Sequence, residues 1–180
     1  MPNHYTTDVT LRGGTFEVTK FRTTHFVTEN NKLEFDFNTV IPMPKCLEGI
    51  ESSSIVWDGI EALTKDPTTA WKYIAEKWGT DALVMVQKAM RAKEECGYTD
   101  WYGWCKDKWG TKWNAYGFVL LTDRMLKKPR IHKLHFTFQT AWCPPMPILN
   151  KLMDMYSTLA FTIKGRDEFE SKWSPISRDF

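Results

Sequence analysis

Alternation of apolar and polar residues marks the strands of this chain. In the segment "HYTTDVTLR", Tyr5, Val9 and Leu11 point one way and the intervening residues point the other. A period of two places such residues on opposite faces of a sheet. Further strands are predicted at 33–38, 131–142 and 159–165, with a weaker, extra strand at 117–122. Each of them is expected to have one buried face and one solvated face.

Helical spacing of apolar residues dominates the part of the chain between residues 50 and 115. Asp66 followed by Pro67 combines an N-cap residue with a proline at the first helical position, and Gly79 supplies an end for that helix. Ser54 is expected to cap the preceding helix, and Asn30 with Asn31 to form a turn. The other helices are predicted at about 15–27, 54–63, 80–96, 100–109 and from residue 147 onward.

The order of these elements predicts the fold class. It reads strand, helix, strand, helical insertion, strand, helix, strand, which is typical of an α+β protein of the ferredoxin-like kind. We therefore expect a four-stranded antiparallel sheet with two helices on one face, and a helical insertion of about residues 50–115 between strands 2 and 3. A chain of 180 residues is compatible with one domain, and a single domain over 1–180 is predicted.

Composition and charge exclude some classes of protein. Hydrophobic residues make up 42% of the chain and nine residues are tryptophan, which argues against disorder. No apolar run of about 18 residues exists, and the first residues lack a secretory leader, so a cytoplasmic location is expected. The four cysteines are irregularly spaced, which predicts reduced, mostly buried thiols and no metal or other cofactor.

Two distinctive segments, "WGTKWNA" and "TAWCPPMP", resemble signature segments of the YubB ferredoxin-like, Api-ninety-two-like family of plasmid, genomic-island and phage proteins. The segments "NTVIPMP" and "YTDWYGWCKDKWG" follow the same pattern, so that the resemblance extends from about residue 4 to residue 165. The resemblance implies a ferredoxin-like fold, an origin in a mobile element and therefore a bacterial host cell. It implies no activity, since the family is one of unknown function without catalytic residues to carry over.

The aromatic segment is the first candidate site. Trp101, Trp104, Trp109 and Trp113 lie three to five residues apart, and we expect them either to form a small core between the helical insertion and the sheet or to present an exposed binding surface. Trp142 in "TAWCPP" is their expected counterpart. The residues predicted to bind a partner are Lys106, Lys108, Trp109, Lys112, Trp113, Asn114 and Trp142.

A basic segment offers an alternative, nucleic-acid binding. From Trp104 to Lys133 there are eight basic and two acidic residues, a local net charge of +6, whereas Glu29 to Glu61 carries a net charge of −5. Basic residues interleaved with aromatic ones are used to bind single strands. However, the predicted open face of the sheet lacks the aromatic residues with which RNA-recognition domains stack bases. The predicted open face of this chain is formed by residues 4, 6, 8, 10, 12, 34, 36, 38, 133, 135, 137, 139, 162 and 164.

The same polar face raises the question of catalysis. His4 and Asp8 could approach His135 and serve in acid–base or metal-dependent chemistry, although any solvated sheet face is polar. Nucleotide-binding glycine loops, HExxH and GxSxG are absent. The leading hypothesis is a non-enzymatic accessory protein that contacts a macromolecule, most readily a protein, through the tryptophan cluster. Nucleic-acid binding through 104–133 and an enzyme on the open face are the alternatives.

Overall fold

The computed structural model describes residues 3–127 and 131–177. The chain forms two compact units. We call Met1–Pro42 with Cys105–Phe180 the sheet unit, and Met43–Trp104 the helical unit. In chain order the elements are β1 (His4–Gly13), α1 (Thr15–His25), β2 (Phe26–Glu29), β3 (Lys32–Phe35), α2 (Ser54–Lys65), α3 (Pro67–Trp78), α4 (Thr80–Cys96), α5 (Trp101–Lys108), β4 (Tyr116–Leu126), β5 (Ile131–Ala141), α6 (Met146–Met155), β6 (Ala160–Asp167) and β7 (Ser174–Pro175).

The sheet unit is built on a five-stranded antiparallel sheet with the order β4-β5-β1-β6-β7. Strand β1 is central, and its register brings three strands together: Thr10 lies between His135 and Thr162, and Asp8 lies between Thr137 and Lys164. The alternation predicted for segments 4–12 and 131–142 therefore produces two chemically different faces. An α+β protein with a mainly antiparallel sheet is confirmed.

The buried face of the sheet packs against α1 and α6. Phe21 of α1 contacts Phe136 of β5 and Tyr156 after α6, with ring centroids 6.1 Å and 5.1 Å apart. Side chains of α6 complete the core, among them Ile148 and Leu149. Each fully buried aliphatic or aromatic side chain stabilises the fold by about 1.5–3 kcal/mol relative to exposure. The opposite face of the sheet carries mainly polar side chains, together with Tyr116 and Val119 of β4.

One predicted strand of the main sheet is not part of it. Residues 33–38 were expected to supply strand 2, but β3 ends at Phe35 and pairs only with β2, in a separate hairpin. Asn30 and Asn31 form its turn with φ of 49° and 61°, the left-handed conformation that suits two-residue hairpin loops. The edge position beside β5 is taken by β4, the predicted extra strand. Glu34, Asp36 and Asn38 are consequently not on the open face.

The helical unit contains α2, α3 and α4, which share a core around Ile74 and Val86. Asp66 caps α3 as predicted, because its carboxylate accepts a hydrogen bond from the Thr68 amide at 3.0 Å. The N-cap of α2 is Ser53, whose hydroxyl oxygen accepts a hydrogen bond from the Val56 amide. The prediction that Ser54 caps this helix is therefore wrong by one residue. The insertion was expected at about 50–115, whereas this unit spans Met43–Trp104. The single domain over 1–180 stays a prediction.

Candidate functional site

Trp109, a predicted centre of the binding surface, is part of the core of the sheet unit. Its side chain is 3% exposed, its indole N–H donates a 2.8 Å hydrogen bond to the Ile41 carbonyl, and its ring meets Phe37 edge-on at 5.7 Å. A buried tryptophan whose N–H is bonded to backbone stabilises the fold. Trp109 is therefore a core residue in this fold, and its predicted role in binding a partner stays a prediction.

Asn114 has a structural role as well. Its side-chain oxygen accepts from the Phe37 amide at 2.8 Å, and its side-chain N–H₂ donates to Asp36 at 2.7 Å. These bonds attach the segment before β4 to the residues that follow β3.

Lys106 and Lys108 are exposed near the end of α5, and Lys108 forms an ion pair with Asp107 at 3.0 Å. Such a surface pair contributes little stability.

Three of the predicted residues do come together at the surface. Lys112, Trp113 and Trp142 form what we call the indole patch. The Lys112 ammonium lies 4.7 Å from the Trp113 ring centroid and 5.9 Å from that of Trp142. Trp113 is 37% exposed and Trp142 is 40% exposed. A cation beside two rings is attracted by their negative faces, which fixes the patch as a mixed cationic and aromatic surface.

The backbone at Trp142 is unusual. Its φ is 73°, in the left-handed region that a bulky residue rarely adopts. The Trp142 amide donates to the Asn3 carbonyl at 2.9 Å, and the Thr140 hydroxyl donates to the Cys143 carbonyl at 2.7 Å. A residue in this region costs on the order of 1–3 kcal/mol, and such residues cluster at functional sites. The turn after β5 holds the indole of Trp142 at the surface despite that cost.

The indole patch continues onto the open face of the sheet through Tyr116. The ring of Tyr116 lies 6.5 Å from that of Trp113, and its hydroxyl bonds His4 Nδ1 at 2.7 Å. Tyr116 pairs with Gln139 and so lies on the open face, which was predicted to lack aromatic residues. Burial, followed by the charge of Glu168, raises the pKa of Tyr116. The phenol thus stays protonated at neutral pH.

The three residues of the enzyme alternative, His4, Asp8 and His135, are only partly brought together. His135 Nε2 lies 2.8 Å from the Asp8 carboxylate, but His4 bonds Tyr116 instead. Strand register accounts for this, since His135 is opposite Thr10 and next to Asp8, whereas His4 is opposite Ala141. Across residues 3–127 and 131–177, no three histidine, cysteine or carboxylate side chains are grouped to hold a metal ion. On this face His135 is thus paired with Asp8, and His4 is paired with Tyr116.

Trp173 is a site residue that sequence reasoning missed. It comes just before β7, which pairs with Lys164 and Gly165 of β6, and the Arg166 guanidinium lies 4.9 Å from its ring centroid. Trp173 lines a cleft of about 330 Å³ on the open face together with Asp8, Thr10, Arg12, His135, Thr162 and Lys164. A two-residue strand that contains a proline gives almost no periodic signal. The only indication in the sequence was a lone tryptophan in the tail.

The basic residues of the alternative hypothesis are not all on the open face. Arg124 pairs with Lys133, and Lys133 pairs with Arg12, so that these three cations form a row across β4, β5 and β1. Lys112 is part of the indole patch instead. Lys127 follows β4, and Lys128 and Arg130 lie outside the described residues. The cationic row therefore consists of Arg12, Lys133 and Arg124, and Arg12 lies outside the basic segment 104–133 of the hypothesis.

The cysteines differ from expectation in their burial. All four are described and none is in a disulfide, but only Cys105 is buried, while Cys46, Cys96 and Cys143 are half-buried. Loss of solvent, then a hydrogen bond with the Cys96 thiol, raises the pKa of Cys46 to about 11. Burial also raises the pKa of Cys143, whose thiol lies 3.1 Å from the Gly110 carbonyl. These thiols are poor nucleophiles at neutral pH.

The geometry defines an α+β unit with an antiparallel sheet, a polar open face and an aromatic patch at one end of it. Comparison with known families gives a match over residues 108–168, about a third of the chain, to a family described as a ferredoxin-like domain in Api92-like protein. This supports the expected family at the level of that segment, which includes β4, β5, α6 and β6. No curated protein and no solved structure matches the chain. None of the described helices has the length and apolar character that a membrane span requires.

Proposed function

We propose that this chain is a non-enzymatic accessory protein of a phage or other mobile element, and that it binds a host or element-encoded protein through the indole patch. The observation that carries the proposal is the exposure of two indoles close to Lys112, one of them on a strained backbone. Exposed tryptophans are costly in water and are enriched among the residues that dominate binding energy.

The composition of the patch favours a particular kind of partner. Trp113 and Trp142 offer flat apolar surface for an aliphatic or aromatic side chain, and Lys112 offers a positive charge for a carboxylate. We therefore expect a partner segment that combines an apolar anchor with an acidic residue. Complementary charge at the rim would affect chiefly the rate of association, whereas the indoles would set the lifetime of the complex.

The test compares binding partners of the full chain and of patch variants. The immobilised wild type, Trp113→Ser and Trp142→Ser are incubated with a bacterial lysate, and retained proteins are quantified by mass spectrometry. Met155→Ser serves as the control, because Met155 is 47% exposed on α6. We expect a protein that the wild type and Met155→Ser retain equally and both patch variants lose. Its purified form should bind the variants about 30-fold more weakly or worse. Equal retention by all four chains would overturn the proposal.

Nucleic-acid binding is the second candidate, and the row formed by Arg12, Lys133 and Arg124 favours it. Cations on adjacent strands can follow a phosphate backbone, and such binding weakens linearly in a log–log plot against salt. Fluorescence anisotropy with labelled single- and double-stranded DNA and RNA over about 50–200 mM salt measures this slope. Absence of binding at the lowest salt would remove this candidate and leave the protein partner.

A further inference from the structure

The open-face cleft has a polar floor with a fixed histidine. Thr10 lies at its centre, between His135 and Thr162 on the neighbouring strands. Asp8 holds His135 in place through the 2.8 Å contact with Nε2. In the described part of the chain, the hydroxyls of Thr10 and Thr162 have no hydrogen-bond partner. The floor therefore offers two hydroxyls and one oriented imidazole to a bound molecule.

The charge of the cleft is complementary to an anion. Arg12 and Lys164 are both exposed and border it on two adjacent strands, while its one carboxylate, Asp8, is in contact with His135. Among the described residues neither Arg12 nor Lys164 has an ion-pair partner. A guanidinium can donate two parallel hydrogen bonds to a phosphate, and a lysine ammonium adds a point charge. Phosphate oxygens match this arrangement of donors.

Trp173 adds a flat aromatic surface to the same cleft. The pairing of β7 with β6 positions it there, and its side chain remains 39% exposed. Indole rings stack on nucleobases, with about 1–3 kcal/mol per stacked base. A carbohydrate would use the indole but leave both cations unused, whereas inorganic phosphate would leave the indole unused. A ligand that uses both has a phosphate and a planar ring.

We propose that the open-face cleft binds a phosphorylated nucleoside, with the phosphate on Arg12 and Lys164 and the base on Trp173. The cleft volume of about 330 Å³ is at the lower end of small-molecule sites, about 300–1,000 Å³, and accommodates one nucleotide. The nucleotide is either a free molecule or one unit of a single strand, because both present the same groups. This site is separate from the indole patch, so each proposal can fail without the other.

The test is calorimetric titration of the full chain with the four nucleoside 5′-monophosphates, the corresponding nucleosides, inorganic phosphate and a short single-stranded oligonucleotide. We expect at least one monophosphate or the oligonucleotide to bind at up to about 1 mM. Its nucleoside and inorganic phosphate should each bind at least about tenfold more weakly, because each lacks one of the two contacts. Binding of the monophosphate identifies a free nucleotide as the ligand, and binding of the oligonucleotide alone identifies a strand.

Matched variants assign the binding to this cleft. Arg12→Gln and Lys164→Gln should each weaken binding about tenfold or more, since each removes a charged hydrogen bond. Trp173→Ala should weaken it about five- to hundredfold. Lys20→Gln on α1 and Phe169→Ala, which is 80% exposed before β7, are the controls and should bind like the wild type. Failure of every phosphorylated probe to bind, or equal affinities for cleft and control variants that keep the wild-type circular dichroism spectrum, would overturn the proposal.

Discussion

His25 makes the stability of the sheet unit depend on pH. It is fully buried, and loss of solvent lowers its pKa from 6.5 to about 4. The Thr39 hydroxyl donates to the Asp36 carbonyl, so its oxygen is left to accept from His25 Nδ1–H at 2.8 Å. Nε2 then accepts from the Tyr156 hydroxyl at 3.0 Å. Protonation of Nε2 would break the hydrogen bond from the Tyr156 hydroxyl, so the folded protein favours the neutral imidazole.

The sign and size of the effect follow from this. The unfolded chain binds a proton at His25 below about pH 6.5, while the folded chain does so only near pH 4. The stabilisation is therefore complete above pH 6.5 and is lost as the pH falls from 6.5 towards 4. At 1.36 kcal/mol for each tenfold change, the loss between pH 7 and pH 4 is about 3 kcal/mol.

The assay is urea denaturation of the wild type and His25→Gln between pH 4 and pH 7, followed by circular dichroism. The variant should be less stable at pH 7, but its free energy of unfolding should fall by about 3 kcal/mol less than that of the wild type on going to pH 4. A constant offset between the two curves reports only altered packing. The reasoning is refuted if the offset does not change with pH, or if the His25 ring titrates near pH 6.5 by NMR.

Three further predictions concern other residues. Trp109→Ala should lower the free energy of unfolding by about 3–5 kcal/mol, measured by urea denaturation. Trp113→Ala should lower it by less, about 1–2 kcal/mol, because Trp113 is 37% exposed. Equal losses would contradict the assignment of Trp109 to the core. Because its pKa is raised to about 11 from the usual 9.0, Cys46 should react with iodoacetamide at pH 8 about tenfold more slowly than an ordinary thiol, since the smaller thiolate fraction is partly offset by the higher reactivity of a more basic thiolate. Mass spectrometry of timed samples measures this rate. Gly165→Ala would place a Cβ against the ring and hydroxyl of Tyr5 and should cost about 1–3 kcal/mol in thermal unfolding. The cost should be smaller in a Tyr5→Ala background, and an equal cost in both backgrounds would contradict the clash.

Elements with strong local signals were predictable from the sequence. Asp66–Pro67 set the start of α3 within one residue, because capping and proline geometry are local properties. The alternation in β1 and β5 likewise gave the correct faces. By contrast, the two asparagines at 30 and 31 turned residues 26–35 into a separate hairpin, and no periodicity within 33–38 reports which strand it will pair with. Partner choice depends on contacts distant in sequence.

The candidate sites were predictable to a smaller extent. Composition drew attention to the right segment, but Trp109 and Trp113 differ only in which one meets Phe37 and Ile41, and that is decided by tertiary packing. The proximity of Asp8 and His135 was predictable, since both were expected on one face of neighbouring strands. Trp173 was not, because its position depends on two residues of β7 pairing with an edge strand.

The two edges of the main sheet have a consequence for association between copies of the chain. A long, regular edge strand exposes a row of backbone donors and acceptors on which another chain can add a strand. Here β4 is interrupted by register shifts between Tyr116 and Val119 and between Leu120 and Thr122. At the other edge, β7 is two residues long and Pro175 has no N–H to donate. Irregularity at one edge and a proline at the other both discourage another chain from adding a strand there, so copies of this chain are protected against edge-to-edge aggregation.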